Sequence, residues 1–138
     1  MAEWIKPKTN WSADDFFNAD DYNRIKNNLD YLYELYLPLF PNVTQQEMIA
    51  QIIGDDASAS TYTVLSHNIF LLNKDSIRWT DIEDVVYRGN KKILNYEEWN
   101  RIEKLILRFY REIWNGYRDI IPKLPKRLGG RKAFGRRV

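Results

Sequence analysis

The chain has 138 residues, of which 44% are hydrophobic and 14% aromatic, and its formal net charge is +2. This length and composition predict one folded domain with a substantial core, and they exclude a disordered chain. Cysteine is absent, which excludes disulfides and thiolate chemistry. The sequence contains neither an apolar run of the roughly 18–20 residues that cross a membrane nor an N-terminal signal-peptide pattern, so we expect no membrane partner.

Charge is distributed unevenly along the chain. Residues 1–121 contain 14 basic and 19 acidic residues, whereas residues 122–138 contain seven basic residues and no acidic one. An acidic body with a basic end is typical of a chain whose end binds a partner. We therefore predict a helical domain over residues 12–121, with an extended arm at residues 1–11 and a basic extended tail at residues 122–138.

The predicted arm contains Trp4 and Trp11 on either side of Pro7, and proline favours an extended conformation in the residue before it. After the arm, Ser12 and Asp15 have the spacing of a short capping box. We interpret the two tryptophans as aromatic anchors for a partner.

The first long helix is predicted to begin after Asn18. An asparagine side chain accepts a hydrogen bond from a free amide at a helix N-terminus, and acidic residues in the next turn favour the helix dipole. The apolar residues that follow recur at spacings of three and four as far as Tyr36, which predicts an amphipathic helix. Pro38 and Pro41 are expected to end it.

The middle of the chain is less regular. Thr44 and Glu47 have capping-box spacing and predict a short helix that ends near Gly54. Residues 55–61 are small and polar and predict a loop. The apolar spacing from Val64 to Leu72 favours another helix, although the nearby threonines leave a strand open. Trp79, Thr80 and Glu83 predict a helical turn, and residues 85–93 read as an insertion.

One phrase occurs twice, at an offset of 77 residues. Residues 17–25 read Phe-Asn-Ala-Asp-Asp-Tyr-Asn-Arg-Ile, and residues 94–102 read Leu-Asn-Tyr-Glu-Glu-Trp-Asn-Arg-Ile. Each copy leads into an apolar segment with helical spacing. We predict that residues 17–36 and 94–113 are equivalent helices with Asn18 and Asn95 as caps, in an all-α fold with shorter helices between them. The two long helices are expected to be antiparallel or to cross.

The polar residues of this phrase favour structure over chemistry. Adjacent carboxylates on a helix point about 100° apart and do not converge on one metal. His67 is the single histidine, and no phosphate loop, catalytic triad or metal-ligand spacing is present. We therefore predict no enzymatic activity, cofactor, metal or small-molecule substrate. Buried ion pairs are expected only at Arg24 and Arg101.

Aromatic residues in the two long helices are consistent either with an aromatic core or with partner-binding anchors. The basic tail is consistent with phosphate binding, with docking on protein, or with an idle end, and its regularly spaced apolar residues favour docking on protein. The predicted partner-binding residues are Trp4, Trp11, Lys123, Leu124, Lys126, Arg127, Leu128, Arg131, Lys132, Phe134, Arg136 and Arg137.

The first copy of the phrase also carries a family resemblance. Lys8-Thr9-Asn10-Trp11, Phe17-Asn18, residues 21–25, Asn27-Asn28 and Tyr31-Leu32 together resemble a segment of structural proteins in tailed bacteriophages and prophages of Gram-positive hosts. The family pattern usually has aspartate where this chain has Asn10.

The resemblance implies a non-enzymatic virion protein, made in the host cytoplasm. It would act in the tail, baseplate, fibre or neck and bind copies of itself and other tail proteins. The alternative from the residues themselves is a small protein that binds nucleic acid through its basic tail.

Overall fold

The computed structural model describes residues 3–48, 59–86 and 96–117. Within these residues the chain forms three helices, α1 (Ala19–Tyr36), α2 (Ala59–Lys74) and α3 (Tyr96–Tyr117), and no strand. The predicted all-α class is therefore confirmed. The tail at residues 122–138, the predicted cap Asn95 and most of the predicted insertion lie outside the described residues, so the equivalence of the two copies stays a prediction.

Asn18 caps α1 as the sequence predicts. Its side-chain oxygen accepts a hydrogen bond from the Asp21 amide at 3.2 Å, and the Asp21 carboxylate accepts one from the Asn18 amide at 3.1 Å. This reciprocal pair is a capping box, which satisfies two amides that have no partner inside the helix. The helix ends at Tyr36, two residues before Pro38.

The core lies where the apolar faces of the three helices meet. Ile25 and Leu29 of α1, Leu65 of α2, and Ile102 and Phe109 of α3 are each fully buried. The aromatic residues of α1 belong to this core, because Tyr31, Tyr33 and Tyr36 are at most 6% exposed. Of the two interpretations of the aromatic residues, the structure favours an aromatic core for these tyrosines.

The helices α1 and α3 run in the same direction, so the antiparallel one of the two expected arrangements is wrong. Contacts between the two elements and their immediate flanks advance together along both. In chain order they are Phe17 with Trp99, Arg24 with Glu103, Tyr36 with Phe109, and Phe40 with Tyr117. The helix α2 follows the same direction, since its Tyr62 contacts Tyr22 and its Asn68 carbonyl contacts Tyr33.

The N-terminal arm runs back between α1 and α3. Its Trp4 ring stacks on Tyr110 at 4.0 Å, its Lys8 amide donates to Glu103, and its Trp11 amide donates to Asn100. The arm therefore passes along α3 in the opposite direction to the helix. The sequence predicts an extended arm that anchors a partner; residues 3–11 form neither helix nor strand, and they pack against α1 and α3 of their own chain.

The middle of the chain differs from the prediction at three places. Residues 44–48, where the predicted short helix begins, are not helical, because the backbone of Gln46 and the carbonyl of Thr44 bond to side chains of α2 and α1. The rest of that predicted helix, as far as Gly54, lies outside the described residues. The helix α2 begins at Ala59, inside the predicted loop. At Thr80–Asp81 the chain forms a turn and not a helix.

Two buried tyrosine hydroxyls of α1 form hydrogen bonds with backbone carbonyls of the segments packed against this helix. The Tyr36 hydroxyl donates to the Phe109 carbonyl at 2.7 Å. The Tyr33 hydroxyl lies 2.6 Å from the carbonyl oxygen of Asn68 and 2.8 Å from that of Thr44. Burial disfavours the phenolate, so it raises the pKa of both tyrosines well above the ordinary value.

We expect Asn18→Ala to lower the free energy of unfolding by about 1 kcal/mol, because the amide of Asp21 loses its side-chain partner and keeps only the Asn18 carbonyl. Urea denaturation followed by circular dichroism measures the change. Asn115→Ala, at an exposed position in α3, is the matched control and should leave stability unchanged or slightly raised. Equal stability for both variants would contradict the capping role.

We also expect stability to fall above pH 10, the ordinary pKa of tyrosine. When the folded-state pKa of a group is raised, its contribution to stability is fully present below the unfolded-state pKa. That contribution is lost as the pH rises from the unfolded-state pKa through the folded-state pKa. Each buried phenol contributes a slope of up to about 1.4 kcal/mol per pH unit. Tyr36→Phe should be less stable at pH 8 but should show a flatter alkaline limb. An unchanged limb would contradict this assignment.

Candidate functional site

Four asparagine side chains of the helices pair with the backbone of the extended segments. In each case the side-chain oxygen accepts the backbone N–H of one residue, and the side-chain NH₂ donates to the C=O of that same residue. The four pairs, here called the asparagine clamps, are Asn28 with Ile5, Asn100 with Trp11, Asn68 with Gln46, and Asn73 with Trp79. Their bonds measure between 2.7 and 3.0 Å.

The clamps satisfy backbone groups that an extended segment leaves unpaired when it packs beside a helix. Helix backbone groups are already bonded within the helix, so they cannot pair with a neighbouring segment as a second strand would. A backbone amide left unpaired in the interior costs about 1–3 kcal/mol. The side-chain amide of asparagine carries the same kinds of donor and acceptor as a peptide group. It therefore supplies the hydrogen bonds that a neighbouring strand would supply in a sheet.

Glu103 holds the middle of the arm. Its side chain is 1% exposed, and its two oxygens accept four hydrogen bonds. The donors are the Lys8 amide at 2.9 Å, the Trp11 indole at 2.7 Å, and the Arg24 guanidinium at 3.1 and 2.7 Å. One carboxylate on α3 thereby joins the arm, α1 and α3.

The positive charge of Arg24 offsets the free-energy cost of burying the Glu103 carboxylate. Its guanidinium contacts Glu103 on one side and Asp21, at 2.8 Å, on the other. Burial alone would lower the pKa of Arg24, but the hydrogen bonds to the two carboxylates outweigh burial and raise it. Arg24 therefore carries its charge throughout the pH range in which the protein is folded.

Of the two ion pairs made by Arg24, the pair with Asp21 has an equivalent in the second copy of the phrase and the pair with Glu103 does not. Asp21 with Arg24 and Glu98 with Arg101 are equivalent pairs in the two copies, at 2.8 and 3.1 Å. In the first copy of the phrase, Lys26 stands at the position equivalent to Glu103. The ion pair between Arg24 and Glu103 therefore has no equivalent built from the opposite copies. The expected buried pair at Arg24 is confirmed. The pair at Arg101 is half-exposed, with side chains 32% and 27% accessible.

Trp11 was predicted to bind a partner, and the structure contradicts this. The residue is 4% exposed, and its indole N–H is bonded to Glu103, so it anchors the arm of its own chain. Trp4 is half-buried between Tyr31 and Tyr110 and has the same intramolecular use. The other predicted partner-binding residues all lie in the tail, outside the described part of the chain.

Glu103 and the four asparagines were not identified as functional from sequence. The signal was a polar residue on an apolar helix face. Glu103 follows Trp99 by four residues and precedes Ile106 by three, and Asn68 follows Leu65 by three and precedes Leu72 by four. Such a residue is buried and must find a partner.

A groove of about 620 Å³ lies on the outer face of α3. The arm borders it at Thr9 and the segment after α2 borders it at Trp79. The helix itself supplies Lys104, Leu107, Arg108, Arg111, Glu112 and Asn115. We call it the α3 groove. Its lining contains neither a histidine nor a nucleophile with an adjacent base, which are the parts of a hydrolytic site.

Elsewhere in the described residues, no three histidine, aspartate or glutamate side chains come together as metal ligands. His67 lies 3.0 Å from Asp84 in an exposed pair. None of the three described helices has the length and apolar character needed to cross a bilayer.

Comparison with known proteins finds no matching family model, no matching curated sequence and no matching solved structure.

We expect Glu103→Ala to lower the free energy of unfolding by about 3–5 kcal/mol, since it leaves Arg24 buried without its main partner. Glu112→Ala, at an exposed position on the same helix, should change it little. The double variant Arg24→Leu/Glu103→Leu should recover much of the loss, because it removes both charges together. If Glu103→Ala and Glu112→Ala melted alike, the carboxylate would not hold the arm as described.

Proposed function

We propose that this protein is a non-enzymatic structural component of a bacteriophage or phage-like particle, acting as a connector in the tail, baseplate or neck. Its partners are copies of itself and other tail proteins, and its site of action is the virion, after synthesis in the host cytoplasm. The resemblance of residues 6–36 to phage structural proteins supports the family context.

The observation that carries the proposal is the use of buried polar groups. Four asparagines and Glu103 bond to the backbone of extended segments or to Trp11 and Arg24. Enzymes leave perturbed polar groups facing a cleft, where substrate meets them. Here the interior polar groups fix the path of the chain, which is what a connector of defined shape requires.

The alternative is a nucleic-acid-binding protein that uses the seven basic residues of the tail. Phosphate contacts release counterions, so binding weakens steeply with salt, with a logarithmic slope of about −0.9 for each phosphate neutralised. The apolar residues Leu124, Leu128 and Phe134 within the tail favour protein docking instead, since contacts to phosphate alone do not require them.

We expect the protein to co-purify with intact particles through a density gradient, in a fixed number of copies per particle. Quantitative mass spectrometry of particles from an induced host that carries the gene measures this number. A version without residues 123–138 should fold with the same melting temperature but be lost from the particles, because the tail supplies partner contacts.

The outcome against the proposal is a protein that is abundant in the lysate and absent from purified particles. If that protein also bound duplex DNA with a steep salt dependence, and removal of residues 123–138 abolished binding, the nucleic-acid alternative would replace the connector.

A further inference from the structure

One apolar side chain stands out of the surface at the end of the molecule where α1 begins. Phe16 is 89% exposed, whereas the next residue, Phe17, stacks on Trp99 with a centroid distance of 3.6 Å. Single exposed apolar residues are common on protein surfaces, but a phenylalanine side chain this exposed offers a partner a large apolar area to bury. Asp14 and Asp20 flank Phe16, are exposed, and make no ion pair with any described residue.

The loop that carries Phe16 is held in place by its own hydrogen bonds. Asp15 accepts from the Ser12 amide at 2.8 Å, and its own amide donates to the Ser12 carbonyl at 3.1 Å. Lys8 of the arm lies 3.4 Å from the Asp15 carboxylate. A loop fixed in this way loses little entropy on binding. We call residues 13–16 together with Asp20 the Phe16 loop.

The α3 groove has the complementary chemistry. Its wall includes the Trp79 ring, on which the Arg108 guanidinium stacks at 3.8 Å, and the side chain of Leu107. Lys104 lies three residues before Leu107, and Arg111 lies three residues after Arg108. Both side chains are exposed and make no ion pair with any residue the structure describes. The groove thus offers an aromatic and aliphatic wall beside two uncompensated cations.

Charge decides among the candidate occupants of this groove. The chain's own tail, with seven basic residues and no acidic one, would be repelled. A nucleic acid would require a longer row of free cations, but Asp81 already neutralises Arg108 at 2.9 Å, and Glu112 lies in the wall. An aromatic residue between two carboxylates, as in the Phe16 loop, satisfies both the apolar wall and the two free cations.

We propose that the Phe16 loop of one copy docks into the α3 groove of a second copy. The contact is head-to-tail, because it joins two different surfaces, so it builds a ring if the rotation closes and a filament if it does not. This proposal rests on the proposed connector function and adds to it the surfaces through which the copies bind each other.

The test uses sedimentation of the full chain across a concentration series. The wild type should self-associate, and salt should weaken the association, since the charges lie at the surface. Phe16→Ser, and separately Lys104→Glu/Arg111→Glu, should each weaken association by about tenfold or more. The control Val86→Ser removes another apolar side chain, 56% exposed, and should associate as the wild type does. All variants change exposed residues, and melting curves check that they are folded.

Mixing the two defective variants decides whether the contact is head-to-tail. Phe16→Ser retains a normal groove, and Lys104→Glu/Arg111→Glu retains a normal loop, so together they can form one intact contact. At a concentration at which the wild type associates and each variant alone is monomeric, we expect an equimolar mixture to form a dimer that grows no further. A monomeric mixture would overturn the docking, as would a wild type that is monomeric at every concentration.

A second occupant is tested in the same preparation. If the wild type stayed monomeric but bound duplex DNA, and Lys104→Glu/Arg111→Glu abolished this binding, the groove would be a phosphate-binding surface and the docking would be wrong. A protein present in particles but monomeric in solution would reject the docking and leave the connector standing. One that assembles through these surfaces but is absent from particles would reject the connector alone.

Discussion

The structure depends on pairing the backbone of extended segments that lie beside helices. In a sheet, a neighbouring strand supplies the missing donors and acceptors, but a helix has none to spare. The asparagine clamps supply them from side chains, and each holds one residue of an extended segment in a fixed register. The buried carboxylate of Glu103 solves the same problem for the Lys8 amide.

This arrangement explains why three helices can run in the same direction. Consecutive parallel elements require the chain to return between them. The arm from Trp4 to Trp11 precedes α1 and joins no two helices, although it also runs along α3 in the opposite direction to that helix. After α2, the segment from Trp79 to Asp84 passes back along that helix, held by Asn73 at one end and His67 at the other. Helices and extended segments therefore depend on one another for satisfied polar groups, and neither forms a separate layer.

The sequence predicted the helical elements well because their signals are local. The cap at Asn18, the apolar stripes of α1 and α3, and the end of α1 before Pro38 all follow from residues within one or two turns. The direction of α1 and α3, the path of the arm and the burial of Trp11 depend on contacts between residues far apart in the chain, 73 positions for Tyr36 with Phe109 and 95 for Lys8 with Glu103. A tryptophan in an extended arm has the same local pattern whether it binds a partner or its own chain.

Thr44 and Glu47 show how a local signal is overridden. Their spacing favours a helix start, but the Tyr33 hydroxyl and the Asn68 amide bond to this segment when it is extended. Asn68 itself was visible as a polar residue on an apolar face. Its partner could not be predicted from sequence, because a side-chain amide can pair with any exposed peptide group.

Amide hydrogen exchange of the clamped residues tests the central claim most directly. The backbone amides of Ile5, Trp11, Gln46 and Trp79 lie outside the helices, yet each donates to an asparagine side chain, so their exchange should be slowed to a degree typical of helix interiors. Replacing Asn68 with alanine should restore fast exchange at Gln46 while Ile5 stays protected. Fast exchange of all four amides in the unaltered protein would show that the clamps do not hold the extended segments.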